Sequence, residues 1–374
     1  MKSLKVTHIS TVHNAFDIRI FHKECRSLAA FGMEVNLVIT HDKEETIDKV
    51  RIIPLPHFTN RFARMLIKPF LAFLKALKTK ADIFHFHDPE LIPIGLLLKL
   101  FGKKVIYDSH EDVPSQILDK YWIPKKLRFP ISRFFKIFES FAAKFFDGIV
   151  TATPHIRSIF LQKNKNTVNI NNYPLPEEMV NLEFLTNKRE KNEKVISYVG
   201  GISKERGILE ILKALEGTNI KLHLAGAVSP KGLFQILEKE KGWKNVVYFG
   251  HVSRSKACSI LSNSHAGICT FHPTAAHIHA VPNKIFEYMN AGIPIIVSRF
   301  PCWEDLFKKI NNTFFVDPLN PREIREAITS LMEDGEKSAS MGKRGLQAVK
   351  EIYNWDIEKE KLIKLYYCIA FKLN

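Results

Sequence analysis

The chain has 374 residues, 45% of them hydrophobic and 25% charged, and its 55 Lys and Arg outnumber 39 Asp and Glu to give a formal net charge of +16. That length is too great for one ordinary core and the composition is not that of a disordered chain, so two folded domains of similar size are expected. A chain this basic is drawn to polyanions, whether nucleic acid, anionic lipid or phosphorylated substrates.

From residue 5 to about 173, short β-rich runs alternate with amphipathic stretches. KVTHIS (5–10), EVNLVIT (34–40), RIIPLP (51–56), DIFHFH (82–87), KVIYDSH (104–110) and GIVTAT (148–153) read as strands. This alternation predicts parallel βαβ units, and the near-continuous apolar runs predict a sheet covered on both faces. The stretch 171–194, with two prolines and then a charged polar run, breaks the pattern and reads as a linker. A second α/β series follows: VISYVGG (195–201), KLHLAG (221–226), VVYFG (246–250), AGICTF (266–271), PIIVS (294–298) and TFFVD (313–317). The tail 355–371 places Ile357, Leu362, Ile363 and Tyr366 at near-helical spacing, which predicts a closing helix that returns to the first domain. The expected division is 1–175, a linker 176–194, a second domain 195–354 and the closing helix 355–374.

No apolar segment precedes a small-residue cleavage site at the N-terminus, and the longest apolar run, 91–98, is about half of the ~18 residues that a spanning helix needs. A cytoplasmic protein is the expectation. The five cysteines are scattered and form no C-x-x-C pair, so they read as reduced packing residues.

Ligands of such sheets bind beyond the carboxyl ends of the strands, so the chemistry is sought in the loops there. Tyr198-Val199-Gly200-Gly201-Ile202-Ser203-Lys204-Glu205-Arg206-Gly207 is a strand running through a glycine loop into a helix. Its glycines permit close approach of a phosphate, a helix start offers N–H groups, and Lys204 and Arg206 add charge; a tight turn with solvated basic residues is the plainer reading. In Val281-Pro282-Asn283-Lys284-Ile285-Phe286-Glu287, Pro282 suits a helix's first turn and Asn283 and Lys284 lie at its positive end. Glu287 falls one turn later on the same face, so a carboxylate for sugar hydroxyls would stand beside donors for a diphosphate, or Lys284 and Glu287 form an ordinary exposed pair.

YVGGISKERG, HLAG, VYFGHVS and above all VPNKIFEYMNAGIPIIVS resemble the donor domain of glycosyltransferase family 4. In the first domain FDIRIFHKECRSLAAFGMEVNLV and FHFHDPELIPIGLLLKLFGKKVIYDSHED are also similar to that family, as is the closing YNWDIEKEKLIKLYY. The resemblance implies the GT-B fold, two Rossmann-like domains facing across a cleft with the C-terminal helix crossing back to the first, and retaining transfer from a nucleotide-sugar. It implies that Glu287 binds the donor ribose, that Asn283 and Lys284 lie where the diphosphate is held, that Arg206 occupies the position of the basic phosphate-binding residue, and that His110 lies beside the donor sugar. Gly200, Gly201 and Ser203 belong to the same donor loop. Two positions depart from the pattern: His279 stands where the first Glu of E-x7-E is usual, and Gly201 where an Arg is usual.

In the loop after the first strand, His13, Asp17 and Arg19 are candidates to meet acceptor or diphosphate. His85 and His87 share a strand face and with Asp88 permit a metal reading, but the chain has no D-x-D pair, so no metal or other cofactor is expected. Leaving-group charge would instead fall to Arg206, Lys284 and helix starts. Residues 61–80 carry six basic side chains and no acid, and residues 122–146 carry six against Glu139 alone, both among large apolar residues. Such helices lie in the headgroup region of anionic membranes, which makes Arg64, Lys68, Trp122, Lys125, Lys126 and Arg128 membrane-contact candidates. A core stripe with a solvated basic face, or single-stranded nucleic acid, are the alternatives, and the placement of charge on amphipathic helices rather than strand faces disfavours nucleic acid. The expectation is a retaining, metal-independent glycosyltransferase, peripheral to the inner face of the cell membrane, extending a lipid-linked or lipopolysaccharide-type glycan. A nucleotide-sugar epimerase of the same fold and an inactive sugar-nucleotide-binding membrane adaptor are its rivals.

Overall fold

The computed structural model describes residues 3–120, 123–175 and 193–371, with backbone alone for 61–63. Trp122 and residues 176–192 of the expected linker lie outside the described residues. The chain forms two compact units, Met1–Asn172 with Trp355–Asn374, and Tyr173–Asn354.

The first unit is built on an eight-stranded sheet in the order β3-β4-β2-β1-β5-β6-β7-β8. Its strands are β1 (Lys5–Asn14), β2 (Glu34–Thr40), β3 (Glu45–Ile47), β4 (Val50–Leu55), β5 (Ile83–Phe86), β6 (Lys104–Ser109), β7 (Gly148–Thr151) and β8 (Thr167–Asn169). All pair in parallel except the β3–β4 hairpin. Sequence periodicity missed β3 and β8, three-residue strands at the two sheet edges that lack a full alternating pattern. β5 is buried at every position, as its unbroken IFHF run requires of a strand covered on both faces. After β1 the chain enters a π-helix, Ile18–Cys25, capped by the Asp17 carboxylate, which accepts from the Arg19 and Ile20 N–H groups.

The closing helix, Trp355–Phe371, packs into the first unit. Leu362, Ile363, Leu365, Tyr366 and Ile369 are buried, while Ile357 falls outside that stripe and is exposed. The Trp355 indole donates to Ser27 Oγ at 2.8 Å, and Glu358 accepts from the Asn171 N–H at 3.0 Å, which fixes the start of the helix.

The second unit has a six-stranded parallel sheet in the order β11-β10-β9-β12-β13-β14. Its strands are β9 (Val195–Val199), β10 (Lys221–Ala225), β11 (Val246–Gly250), β12 (Ala266–Cys269), β13 (Ile295–Ser298) and β14 (Thr313–Val316). Strand order reverses on either side of β9 here, and on either side of β1 in the first unit, so the loops leaving β9 and β12, and those leaving β1 and β5, border the positions where open parallel sheets bind ligands.

Candidate functional site

In the second unit, the loop leaving β9 turns at Gly200 with φ +123°, a conformation that strains side-chain-bearing residues, and a Cβ there would lie 3.1 Å from Lys284 Nζ. The missing side chain thus lets Lys284 run beneath the loop. Its Nζ sits 3.6 Å from the centre of the Tyr198 ring and 5.2 Å from that of Phe271, with no hydrogen-bond partner among the described residues. Burial brings its pKa down to about 8, and nearby Arg206 acts in the same direction. An unpaired buried cation is costly, and aromatic faces offset only part of that cost.

Arg206 reaches the same place from the following 3₁₀ turn, Lys204–Arg206, and donates from Nη1 to the Gly201 carbonyl at 2.8 Å. A Cβ on Gly201 would come within 2.5 Å of that Nη1, so the guanidinium occupies the space a side chain at 201 would need. Tyr198 Oη also donates to the Gly201 carbonyl, at 2.9 Å, which holds the loop from below. Ser203, half-buried, precedes the turn without capping it.

The helix Asn283–Asn290 starts after Pro282 with no side-chain cap, leaving its first N–H groups open to a ligand. Asn283 is exposed and Lys284 is buried. Glu287, one turn on, is half-buried, and Arg254 Nη1 stands 3.4 Å from its Oε1. Arg254 was not anticipated from sequence, although it lies four residues after Gly250, the end of β11, as the first residue of a helix capped by Ser253. His279 is exposed in the preceding turns, whose backbone is held by the Trp303 indole donating to the Ala280 carbonyl at 2.6 Å. The exposed Lys284–Glu287 pair, the alternative reading of this spacing, does not form, because Lys284 turns inward toward Gly200 instead.

In the first unit, His110 follows β6 with Nε2 2.7 Å from Asp108 Oδ2. Asp108 also accepts from His87 Nδ1 at 3.1 Å and from Arg19 through Nε and Nη2, both at 2.9 Å. Against the cost of burial, Arg19 and the two imidazoles hold this carboxyl well below its ordinary range. His13 stacks obliquely near His110, ring centres 5.3 Å apart, with Nδ1 3.3 Å from Asp17 and Nε2 3.5 Å from Asp88. Burial opposes charge on His13, but Asp17 and Asp88 outweigh it and raise its pKa. His13, Asp17 and His110 are each partly open to solvent. They form a small polar group at the strand ends suited to hydroxyl groups.

Arg19 departs from its expected place among them. Its side chain is 5% exposed, clamped by Asp108, by Glu24 at 3.2 Å and by the Ile170 carbonyl at 2.8 Å, so no donor points outward to a ligand. Lys68 departs as well: it is 4% exposed and donates to the Thr11 carbonyl at 2.6 Å, bracing the loop after β1. Asp88 receives the Ser10 hydroxyl and the Thr11 and Val12 N–H groups, so its carboxylate organises that loop rather than joining His85 and His87. Arg64 is half-buried near Glu90, at 3.8 Å, and Arg128 is held by the Ile123 and Leu118 carbonyls. Lys125 and Lys126 are exposed. They begin the helix Lys125–Ala143, on which Phe129, Phe134, Ile137 and Phe141 are also exposed. On the helix Arg61–Lys78, Leu66, Ile67 and Phe70 are exposed. No helix among the described residues is long and apolar enough to cross a membrane.

The family profile described as Glycosyl transferases group 1 matches residues 182–348, and that described as Glycosyltransferase Family 4 matches residues 19–168. CapM of Staphylococcus aureus, a capsular polysaccharide biosynthesis glycosyltransferase, is 23% identical over 98% of this chain and 97% of its own. The D-rhamnosyltransferase WbpZ of Pseudomonas aeruginosa is 23% identical over 75% of this chain and 71% of its own. An uncharacterized glycosyltransferase of Methanocaldococcus jannaschii, MJ1607, is 24% identical over 47% of this chain, a match that spans less than half, 45%, of that relative. Among solved structures, sucrose-phosphate synthase of Thermosynechococcus elongatus superposes with a TM-score of 0.77 at 17% identity, covering 99% of this chain and all of that one. Anabaena HepE, solved with UDP-glucose, gives 0.71 at 12% identity over 97% of this chain and 99% of that one. WaaG, a glycosyltransferase involved in lipopolysaccharide biosynthesis, gives 0.68 at 14% identity over 96% of this chain and 99% of that one. At these identities the superpositions establish the fold.

Proposed function

Because this chain belongs to the family 4 glycosyltransferases of the GT-B fold, we propose that it transfers a sugar, with retention, from a nucleotide-sugar to a growing surface glycan at the inner face of the cell membrane. The observation that carries the reading is the meeting of Arg206, Lys284 and an uncapped helix start around Gly200 and Gly201, with Glu287 one turn away. Two cations and open N–H groups suit a diphosphate, and a carboxylate at that distance suits the ribose hydroxyls. His110, oriented by Asp108, is assigned to the donor sugar, and His13 and Asp17 to the acceptor hydroxyls. In this mechanism the departing diphosphate takes the acceptor proton as the new bond forms on the same face, and fixed cations rather than a divalent ion receive the developing charge. The similarity to CapM, a capsular polysaccharide biosynthesis glycosyltransferase, and to WaaG, a glycosyltransferase involved in lipopolysaccharide biosynthesis, supports a surface glycan as acceptor. The basic and apolar exposed residues of the helices Arg61–Lys78 and Lys125–Ala143 support a membrane-held one.

The test is incubation with a panel of UDP-, GDP- and dTDP-sugars, with EDTA present, followed by detection of slow release of free sugar. One donor should be hydrolysed without added metal, and the released sugar should keep the donor's anomeric configuration. An isomerised nucleotide-sugar would make the chain an epimerase. Binding without turnover would make it an adaptor, and a rate that appears only with Mg²⁺ or Mn²⁺ would remove the electrostatic assignment of Arg206 and Lys284.

A further inference from the structure

Behind the polar group at the strand ends lies a cluster that the transfer reaction does not use. His8 of β1 and His85 of β5 are register partners on neighbouring strands, His87 follows on the same side, and Glu24 comes down on them from the π-helix. All four are fully enclosed. We propose that His8, Glu24, His85 and His87 form a closed structural site for a zinc-like divalent ion, fastening the π-helix to the sheet of the first unit.

The geometry is that of a donor set gathered around one point. Glu24 Oε2 lies 3.9 Å from His8 Nδ1, 3.8 Å from His85 Nδ1 and 4.0 Å from His87 Nε2, and the two imidazole nitrogens of His8 and His87 are 2.9 Å apart. Ligand atoms of a tetrahedral ion with bonds of about 2.0 to 2.1 Å lie about 3.3 Å from one another, so completing the shell needs Glu24 to close on the imidazoles by about 0.5 to 0.7 Å and the His8–His87 pair to open by about 0.4 Å. Both oxygens of Glu24 lack a hydrogen bond, although the Arg19 guanidinium is 3.2 Å from Oε1. Oε1 is thus turned to Arg19, and Oε2, buried and facing three imidazoles, is the oxygen an ion would satisfy.

Three imidazoles and one carboxylate are a borderline donor set, suited to zinc rather than to magnesium or calcium. Burial keeps the imidazoles in their neutral, lone-pair-bearing form. Part of the outer shell is also built: His87 donates its other nitrogen to Asp108 at 3.1 Å, and His8 Nε2 lies 3.0 Å from the Tyr366 hydroxyl of the closing helix, which is also 2.7 Å from His85 Nδ1 and would release that nitrogen to the ion. The π-helix itself is a second sign. Such segments are rare and gather at functional positions, and this one turns Arg19, Lys23 and Glu24 inward together.

The experiment uses the full chain, purified without a polyhistidine tag and dialysed against EDTA while folded, with metal content then read by inductively coupled plasma mass spectrometry. About one zinc-like ion per chain should remain, because the site is enclosed. Protein unfolded in chelator and refolded without metal should melt lower by on the order of 10 °C, and Zn²⁺ but not Mg²⁺ should restore it. Refolding with Co²⁺ should give the visible bands of a tetrahedral ion, and Glu24→Gln should hold less than about a tenth of the wild-type metal. The proposal is overturned if the wild type retains no ion and refolds to the same melting temperature with or without Zn²⁺ and Co²⁺, which needs no variant to fold. Full metal content in Glu24→Gln would overturn it equally. Either result would leave the cluster as a hydrogen-bonded network with Glu24 protonated.

Discussion

Replacing Lys284 with Met should stabilise the free protein while weakening nucleotide binding. Met keeps the apolar stem that lies under Gly200 and against the Tyr198 ring, and removes the ammonium that has no hydrogen-bond partner. Burial lowers the pKa from 10.5 to about 8, and at about 1.4 kcal/mol per pH unit this places the cost of keeping the charge near 3 kcal/mol as an upper figure. At pH 7 the folded lysine is charged and the full cost is present. Between about pH 8 and 10.5 the unfolded lysine still holds a proton that the folded one has lost, so wild-type stability should rise across that window and the variant's should not. In the proposed reading a bound diphosphate supplies the missing partner, and a charge-assisted bond is worth about 1.5 to 3 kcal/mol, so nucleoside diphosphate affinity should fall roughly 10- to 150-fold in the variant. Wild-type affinity should also weaken above pH 8 by up to about tenfold per pH unit, a dependence absent from the variant. Denaturant unfolding without ligand and titration calorimetry with UDP, GDP and dTDP read both effects. A variant that is less stable at pH 7 yet binds nucleotide as the wild type does would refute the reasoning.

Glu287→Ala should lower nucleotide affinity tenfold or more, because its carboxylate is assigned both ribose hydroxyls; equal affinity for the deoxyribose analogue and the ribonucleotide in the wild type would contradict that. Burial, opposed by the Tyr107 hydroxyl at 2.8 Å, raises the Glu139 pKa from 4.5 to about 7, so stability should fall as pH rises through that interval. Glu139→Gln should flatten the fall and be more stable at pH 8 by up to about 3 kcal/mol, measured by denaturant unfolding. The chain should bind vesicles containing anionic lipid and leave neutral ones, and high salt should release it. Lys125→Ser with Lys126→Ser should weaken that binding, whereas alteration of the enclosed Lys68 should act on stability instead; tight binding to single-stranded nucleic acid with none to anionic vesicles would end the membrane reading.

The parallel strands were legible because buried β-strands announce themselves as unbroken apolar runs, and the candidate loop after β9 because glycine, basic residues and a helix start follow one another within ten residues. What sequence could not give was the direction of side chains within those loops. Lys284 and Glu287 have the spacing of a surface pair, yet the open space at Gly200 draws the lysine inward. Lys68 sits in a basic helix that reads as surface, but the loop after β1 offers it the Thr11 carbonyl, 57 residues earlier in the chain. The Arg19–Asp108 clamp joins residues 89 apart and the His85–Tyr366 contact residues 281 apart, so no local spacing could have found them. Glu24 is one charged residue in FHKEC until the π-helix turns it onto the sheet.

The contrast between Arg19 and Lys284 separates the two units' chemistry. Lys284 is a buried cation whose ammonium has no hydrogen-bond partner among the described residues, so an anion would complete it; Arg19 is a buried cation already held by Asp108 and Glu24, so an anion gains little from it. In the proposed reading anion recognition therefore falls to the second unit, and Arg19 acts on fold rather than on ligand. Arg19→Met should remove the partner of a fully buried carboxylate, and breaking a buried pair in this way costs about 3 to 5 kcal/mol. Asp108 would lose its bidentate donor and recover part of that cost only by taking up a proton, so the loss should be greatest at high pH and shrink as pH falls. Thermal melts across pH, paired with nucleotide titration of the folded variant at low temperature, separate the two roles. A lower melting temperature with unchanged nucleotide affinity is expected; a variant as stable as the wild type that binds nucleotide or acceptor more weakly would return Arg19 to the ligand.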